Sequence, residues 1–217
     1  MAVRLILIGP PGVGKGTQAA KLQQAFGVVP LSSGNIFRAE IQAGTPLGLQ
    51  AKKYLDSGEL VPDEVTIGMM QTRLSNPDVV KSGFILDGFP RTLEQAVALD
   101  KMLDTLNLTL DAAIVFEVDD EIVVDRLSGR LICPNCGEIF HKTHRPPATP
   151  GLCDKCQGQL TVRVDDNAET IRNRLRVSHE ATAPILGYYE QRGILIRVDG
   201  AQSPDGVFAE VTAGLGS

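Results

Sequence analysis

The chain has 217 residues, 43% of them hydrophobic, enough to bury one α/β core of ordinary size carrying smaller appendages. Its net charge of -5 and pI near 5.2 exclude the broad basic surface that binds nucleic acid by releasing counterions, so any anion site must be a local cluster. No segment approaches the roughly 18 apolar residues of a membrane-crossing helix, and the first apolar run is too short for a signal-peptide core, so a cytoplasmic protein without a membrane partner is expected.

That first run, Leu5-Ile6-Leu7-Ile8, reads as a buried strand, and a helix-like stretch begins at Gln18. Between them lies Gly9-Pro10-Pro11-Gly12-Val13-Gly14-Lys15-Gly16-Thr17. Any glycine-rich turn can join strand to helix. Here Gly9, Gly12 and Gly14 can adopt angles closed to other residues, turning successive N–H groups into one concavity at a helix N-terminus. Lys15 adds a point charge for the β- and γ-phosphates of a nucleotide. The spacing fits the P-loop template except that Gly16 follows the lysine, so the magnesium-facing hydroxyl falls to Thr17.

A second strand is expected at Val28–Leu31. The stretch from Ser32 to Val61 breaks at Gly44-Thr45-Pro46 and Ser57-Gly58 and reads as short helices inserted into the core. Ser33 can be a plain N-cap, a role that does not account for Arg38. The third strand, Phe84–Leu86, runs into Asp87-Gly88-Phe89-Pro90-Arg91. Ligands of open parallel sheets sit beyond the carboxyl ends of the strands, so Asp87 shares a rim with the glycine loop. It can orient magnesium through water or serve as a turn aspartate. Arg91 and Gln95 share a helix face, one suited to a phosphate and the other to a base edge, although Thr92-Leu93-Glu94-Gln95 also fits a capping box. Runs at Ala113–Val118 and Ile194–Val198 bring the count to five strands alternating with helices, which predicts a parallel sheet covered on both faces.

Arginine outnumbers lysine thirteen to eight, and seven arginines fall between Arg126 and Arg176, a bias suited to bidentate phosphate contacts. On the helix carrying Ile171, Leu175, Ser178 and Thr182, Arg174 borders the buried stripe, whereas Arg172, Arg176 and Glu180 run down a solvated side. The second insertion, Gly129 to Asp166, holds Cys133-Pro134-Asn135-Cys136 and, after sixteen intervening residues, Cys153-Asp154-Lys155-Cys156. Two such knuckles can place four thiolates tetrahedrally about zinc with no open position, a structural site. Two disulfides or free thiols are the alternatives, and His141 or His144 can stand in for a cysteine.

Together the glycine loop with Gly14-Lys15-Gly16-Thr17, the Asp87-Gly88-Phe89-Pro90-Arg91 segment and the four-cysteine insertion resemble the adenylate kinase family in its bacterial form with a long zinc-bearing lid, over Val3 to about Gly200. The resemblance implies magnesium-dependent transfer of phosphoryl from ATP to AMP, giving two ADP, by a monomer. It implies a P-loop core of residues 1–31, 62–128 and 167–217, an AMP-binding flap of residues 32–61 and a zinc-binding lid of residues 129–166. It assigns Gly12, Val13, Gly14, Lys15, Gly16 and Thr17 to the ATP phosphates, with Arg126, Arg130 and Gly200, and Val198–Gly200 near the ATP base. Ser33, Arg38, Gly88, Arg91, Gln95, Arg163, Arg174 and the backbone of Glu59, Leu60 and Val61 fall to AMP, with Arg126, Arg130, Arg163 and Arg174 closing on the transferring group. Lys15, Arg91, Arg126, Arg130, Arg163, Arg174 and Asp87 form the implied catalytic set, and the Phe89-Pro90 bond is implied to be cis. The chain departs from the family pattern at Ser33, where threonine is usual, and at Asn35, where aspartate is usual. Rival readings are a kinase for another nucleoside monophosphate or another donor, a nucleotide-binding switch, and a zinc-ribbon adaptor.

Overall fold

The computed structural model describes residues 2–216, so the two end residues of the expected core, 1 and 217, lie outside it. Five strands form one parallel sheet: β1 (Val3–Ile8), β2 (Val29–Ser32), β3 (Gly83–Asp87), β4 (Ala112–Glu117) and β7 (Leu195–Asp199), in the order β2-β3-β1-β4-β7. In register, Leu7 pairs with Asp87 and Ser32 with Asp87, so the strand ends that carry polar residues share one rim. All five expected strands are present, each within a residue or two of its expected bounds. The differences are small but consequential: Ser32 closes β2 instead of opening the flap, and the first helix, α1 (Lys15–Phe26), begins at the lysine instead of at Gln18.

Side-chain alternation along the strands divides the core. Ile6, Ile8, Phe84, Leu86, Ala113 and Val115 face one layer, built from α4 (Asp63–Leu74), α6 (Leu93–Thr105) and α8 (Ala168–Gln191) through Met70, Leu74, Leu99, Leu103, Ile185 and Tyr189. Leu5, Leu7, Ile85, Ile114 and Phe116 face the other, α1 and α9 (Pro204–Leu215), through Ala19, Leu22, Val207 and Val211. Continuous apolar strands buried on both faces are what a parallel sheet requires. α5 (Pro77–Ser82) leads into β3, and α7 (Asp120–Ser128) packs on α8 through Val123, Leu127, Ile171 and Leu175.

Two segments stand off the sheet. The first is a helix pair, α2 (Ser33–Gln42) and α3 (Pro46–Ser57), with Thr45 capping α3 by accepting from the Gly48 N–H at 3.1 Å. Its helices cross backbone to backbone: a Cβ on Gly48 would fall 2.2 Å from the Glu40 carbonyl oxygen. The second is an antiparallel hairpin, β5 (Arg130–Ile132) and β6 (Ile139–His141), followed by the cysteine knuckles and a 3-10 turn at Val164–Asp166. Its own small core is Leu131, Cys133, Phe140, Cys153 and Leu160. The 24-residue α8, with Pro184 inside it, then returns the chain to the sheet.

The crossing at Gly48 predicts that Gly48→Ala forces α2 and α3 apart and destabilises the chain by about 1–3 kcal/mol. Gly68→Ala, at an exposed position in α4 with open space around it, should stabilise by up to about 1 kcal/mol. Thermal unfolding of the two variants checks both signs.

Candidate functional site

The glycine loop is shaped by positive φ at Gly9 (147°), Gly12 (81°) and Gly14 (108°), the last being the N-cap of α1. Close packing reinforces this at Gly12, where a Cβ would lie 2.7 Å from Cγ of Leu127 on α7. Space is open around Gly14 and Gly16, so a ligand can approach the backbone there. The first hydrogen bond into the helix runs from the Gln18 N–H to the Gly14 carbonyl, which leaves earlier amides aimed out of the N-terminus. Lys15 is 9% exposed, and its Nζ donates to the carbonyls of Gly9 and Pro10, both at 2.8 Å. Burial lowers its pKa to about 8; Asp87 opposes the shift, while Arg91, Arg174 and Arg130 add to it. Arg126 reaches the loop from α7, donating to the carbonyls of Val13 at 3.2 Å and Gly200 at 2.9 Å.

A cavity opens beside the loop, lined by Ser33, Arg38, Glu59, Leu60, Val61, Gly88, Arg91, Gln95 and Arg174, together with Phe37, Thr66 and Asp165. Ser33 is not an N-cap: that place belongs to Ser32, and the Ser33 hydroxyl instead donates to the Gly88 carbonyl at 2.7 Å. Arg91 Nε donates to the same carbonyl at 3.0 Å. A Cβ on Gly88 would come within 2.9 Å of both groups. Gln95 is 2% exposed, and its amide is engaged at both ends, Oε1 accepting from the Arg91 N–H at 2.8 Å and Nε2 donating to Asp63 Oδ1 at 2.7 Å. Thr92 caps α6 by accepting from the Gln95 N–H at 3.2 Å. The Phe89-Pro90 bond is cis. Asn35 Oδ1 accepts from Arg38 Nη2 at 2.9 Å, so an acceptor is retained where the family's usual charge is lost. Glu59 turns outward and accepts from Asn173 Nδ2 at 2.9 Å, tying the helix pair to α8.

Cations meet between the loop and the cavity. Lys15, Arg38, Arg91, Arg130, Arg163 and Arg174 lie close enough to act on one another electrostatically, with Asp87, Asp165 and Asp166 as counter-charges. Arg130 makes a bidentate pair with Asp166 at 2.6 and 2.8 Å, and Arg174 Nη1 lies 3.1 Å from Asp166 and 3.0 Å from Asp165. The Asp166 carboxylate is wholly shielded from solvent. Burial raises Asp165, but Arg174, Arg38 and Arg163 outweigh it and hold that carboxyl below the usual range. Burial, with help from Arg38 and Arg130, lowers Arg163 to about 9, and its Nε is buried without a hydrogen-bond partner. Arg176 pairs with Glu180 at 2.9 Å on the solvated side of α8, away from Arg174.

Sequence reasoning overlooked Asp63, Asp165 and Asp166. Asp165-Asp166, two residues after Arg163, were the signal: an arginine cluster inside a fold needs carboxylates to hold it.

The four cysteine thiols are free, and their Sγ atoms all lie within 4.8 Å of one another, with Cys133 and Cys156 at 3.4 Å and Cys136 and Cys153 at 3.6 Å. These separations are far beyond a disulfide bond of about 2.05 Å. They approach the edge of about 3.8 Å expected of a sulfur tetrahedron with metal–sulfur bonds near 2.3 Å. Gly158 keeps this cluster closed, since a Cβ there would fall 3.1 Å from the Cys133 sulfur. His141 and His144 lie elsewhere, stacked on each other beside Asp125 of α7.

Lys15 has a consequence for pH. Its pKa is lowered to about 8, and a polyphosphate seated against Nζ would raise it again, so such binding would take up protons near that pH and weaken as pH rises through 8. Calorimetry with a nucleoside triphosphate at pH 8, in buffers of different ionisation enthalpy, should show an uptake of about half a proton that disappears in Lys15→Arg. Identical apparent enthalpies in every buffer would contradict this.

Comparison with known proteins agrees with this geometry. The family model described as adenylate kinase matches residues 7–194. The chain is 51% identical to an adenylate kinase of Geobacillus sp. (strain WCH70) over 214 residues, covering 99% of each chain. It is 50% identical to one of Enterococcus faecalis over 210 residues, 96% of this chain and 97% of the relative. It is 49% identical to one of Archaeoglobus fulgidus over 211 residues, 97% of each. A phosphate loop, a neighbouring cavity and a cationic seam between them therefore have their explanation: the chain belongs to the adenylate kinase family, whose members catalyse ATP + AMP = 2 ADP.

Proposed function

We propose that the glycine loop holds the phosphates of MgATP, that the cavity beside it holds AMP, and that phosphoryl passes between them across the cationic seam. The observation that carries this reading is the convergence of Lys15, Arg38, Arg91, Arg130, Arg163 and Arg174 on the space between loop and cavity. Gly12, Val13, Gly14, Gly16 and Thr17 wrap the donor phosphates with backbone amides, and Lys15 leaves its two carbonyls for the β- and γ-oxygens. Arg126 and Gly200 border the ATP base. On the acceptor side, Arg38 and Arg91 take the AMP phosphate, Ser33 and Gly88 form the floor, and Gln95 with the backbone of Glu59, Leu60 and Val61 faces the adenine.

Phosphoryl transfer demands alignment, charge neutralisation and dryness more than covalent chemistry. Arg130, Arg163 and Arg174 neutralise the charge that builds on the equatorial oxygens, and Asp165 and Asp166 hold two of them at fixed angles before substrate arrives. Magnesium, arriving with ATP, would offset the charge of its phosphates. Asp87, at the end of β3, is placed to orient its waters.

Residues 32–61 act as the AMP-binding flap and 129–166 as a lid, each closing on the core formed by 1–31, 62–128 and 167–217. Closure completes the site only when both nucleotides are present, which limits loss of ATP to water. Zinc suits the four thiolates, which leave no open coordination position, and it staples a lid whose own apolar core is five residues. The enzyme works as a cytoplasmic monomer without a nucleic-acid or membrane partner. One chain carries both nucleotide sites, the net charge is -5, and no helix among the described residues is long and apolar enough to cross a membrane.

Supplying MgATP with each nucleoside monophosphate in turn should give diphosphate with AMP. Turnover only with another monophosphate would reassign the acceptor, and none with any would refute the kinase reading. Arg91→Ala and Arg130→Ala should each lower turnover more than about tenfold with the fold retained. Elemental analysis should find one zinc per chain, and Cys153→Ser should lose the metal and melt lower. An unaltered melting point in a metal-free chain would sink the staple.

A further inference from the structure

The amide of Gln95 is held in one orientation from outside the cavity, and that orientation carries chemical information. A side-chain amide offers two N–H bonds on one atom and two lone pairs on the other, and turning it over exchanges donor for acceptor at any point in space. At Gln95 one of each is spent: Oε1 accepts from the backbone N–H of Arg91 at 2.8 Å, and Nε2 donates to Asp63 Oδ1 at 2.7 Å. Neither partner tolerates the reverse. A backbone N–H only donates and a carboxylate only accepts, so a flipped amide would lose both bonds and set N–H against N–H and oxygen against oxygen. The remaining N–H and lone pair belong to a side chain that lines the cavity and is 2% exposed.

We infer that Asp63 is a specificity-determining residue, one that fixes the Gln95 amide so that the cavity accepts a 6-aminopurine and refuses a 6-oxopurine. This rests on the reading that the cavity takes the base of the acceptor monophosphate. The two purine classes present reversed patterns on the same edge. Adenine has an acceptor at N1 and a donor at the 6-amino group, whereas hypoxanthine and guanine have a donor at N1 and an acceptor at O6. For a base held in one pose, an amide locked one way pairs with one class only; a free amide turns over and pairs with either. Asp63 is itself held, because Oδ2 accepts from the Thr92 hydroxyl at 2.7 Å, and that hydroxyl caps α6, the helix that bears Gln95. The first turn of α4 thus sets the polarity of a side chain on α6. Asp63 is a positioning residue and takes no part in the transfer.

The test is the ratio of kcat/KM for AMP to that for inosine monophosphate, with MgATP as donor. Asp63→Leu keeps the forked shape with somewhat greater bulk and removes the acceptor, and it should lower that ratio by about tenfold or more, with KM for AMP rising and kcat little changed. Asp63→Asn can still offer an oxygen to Gln95 and should preserve most of the ratio. Thr92→Val removes the cap and one bond to Asp63 but leaves the lock, so it should melt lower with the ratio unchanged. Equal losses toward both monophosphates in Asp63→Leu, or an unaltered ratio, would overturn the inference. Should Asp63→Leu fail to fold, hydrogen exchange of the Gln95 side-chain amide in the wild-type protein decides. Protection of one N–H supports the lock, and fast exchange of both overturns it. A wild-type protein that leaves AMP unphosphorylated defeats the proposed function, whereas a discriminating wild-type with an equally discriminating Asp63→Leu defeats only the role of Asp63.

Discussion

Positive charge held together ahead of its ligand is the constraint on which the rest of the structure depends. Six cationic side chains around one space repel one another, and burial of Lys15 and Arg163 adds to the cost, as their lowered pKa values record. A fold tolerates this where carboxylates hold the guanidinium groups and where surrounding structure is too well packed to relax. Asp166, shielded from solvent between Arg130 and Arg174, does the first. The doubly covered sheet does the second, because β1, β3 and the start of α1 are anchored on both faces by apolar side chains. Such a cluster is preorganised for an anion, whose charge would relieve the repulsion.

The same logic explains how the charge is distributed over the fold. Parallel strands deliver Asp87 and the glycine loop to one rim with no freedom of register. The remaining arginines come from elements with fewer ties to the sheet: Arg38 from the helix pair, Arg130 from the hairpin, Arg163 from the segment leading into the 3-10 turn. Part of the charge is thus carried on appendages, and Asp165 offers the helix pair a tether, 3.8 Å from Arg38. A small hairpin with an apolar core of five residues needs further internal support, and its four clustered cysteine thiols are compatible with a structural metal that would supply it.

Polar groups at the cavity wall show how one residue can serve two purposes. The capping pattern from Thr92 to Gln95 and the base-facing role of Gln95 appeared as competing readings of the sequence. In the structure Thr92 caps the helix, the Gln95 oxygen satisfies the Arg91 amide just outside it, and one donor and one acceptor of Gln95 remain for the cavity. Capping leaves part of the Gln95 amide unspent because an amide has four hydrogen-bonding positions.

The sequence by itself determined whatever is written in short range. Five apolar runs defined the strands, Gly9 to Thr17 defined the glycine loop, and the two cysteine knuckles defined a cluster of four sulfurs, since each needs only local spacing and residue chemistry. The side of α8 on which Arg174 lies was also legible, because helical period fixes it. Only the tertiary structure decided the rest: that Asp165 and Asp166 clamp the arginines, that Arg126 braces Val13 and Gly200, that Ser33 reaches Gly88, and that Asp63 orients Gln95 from another helix. Those pairings join residues from 8 to 113 positions apart. Their partners are chosen by how helices pack on a sheet, and no local pattern of residues encodes that choice.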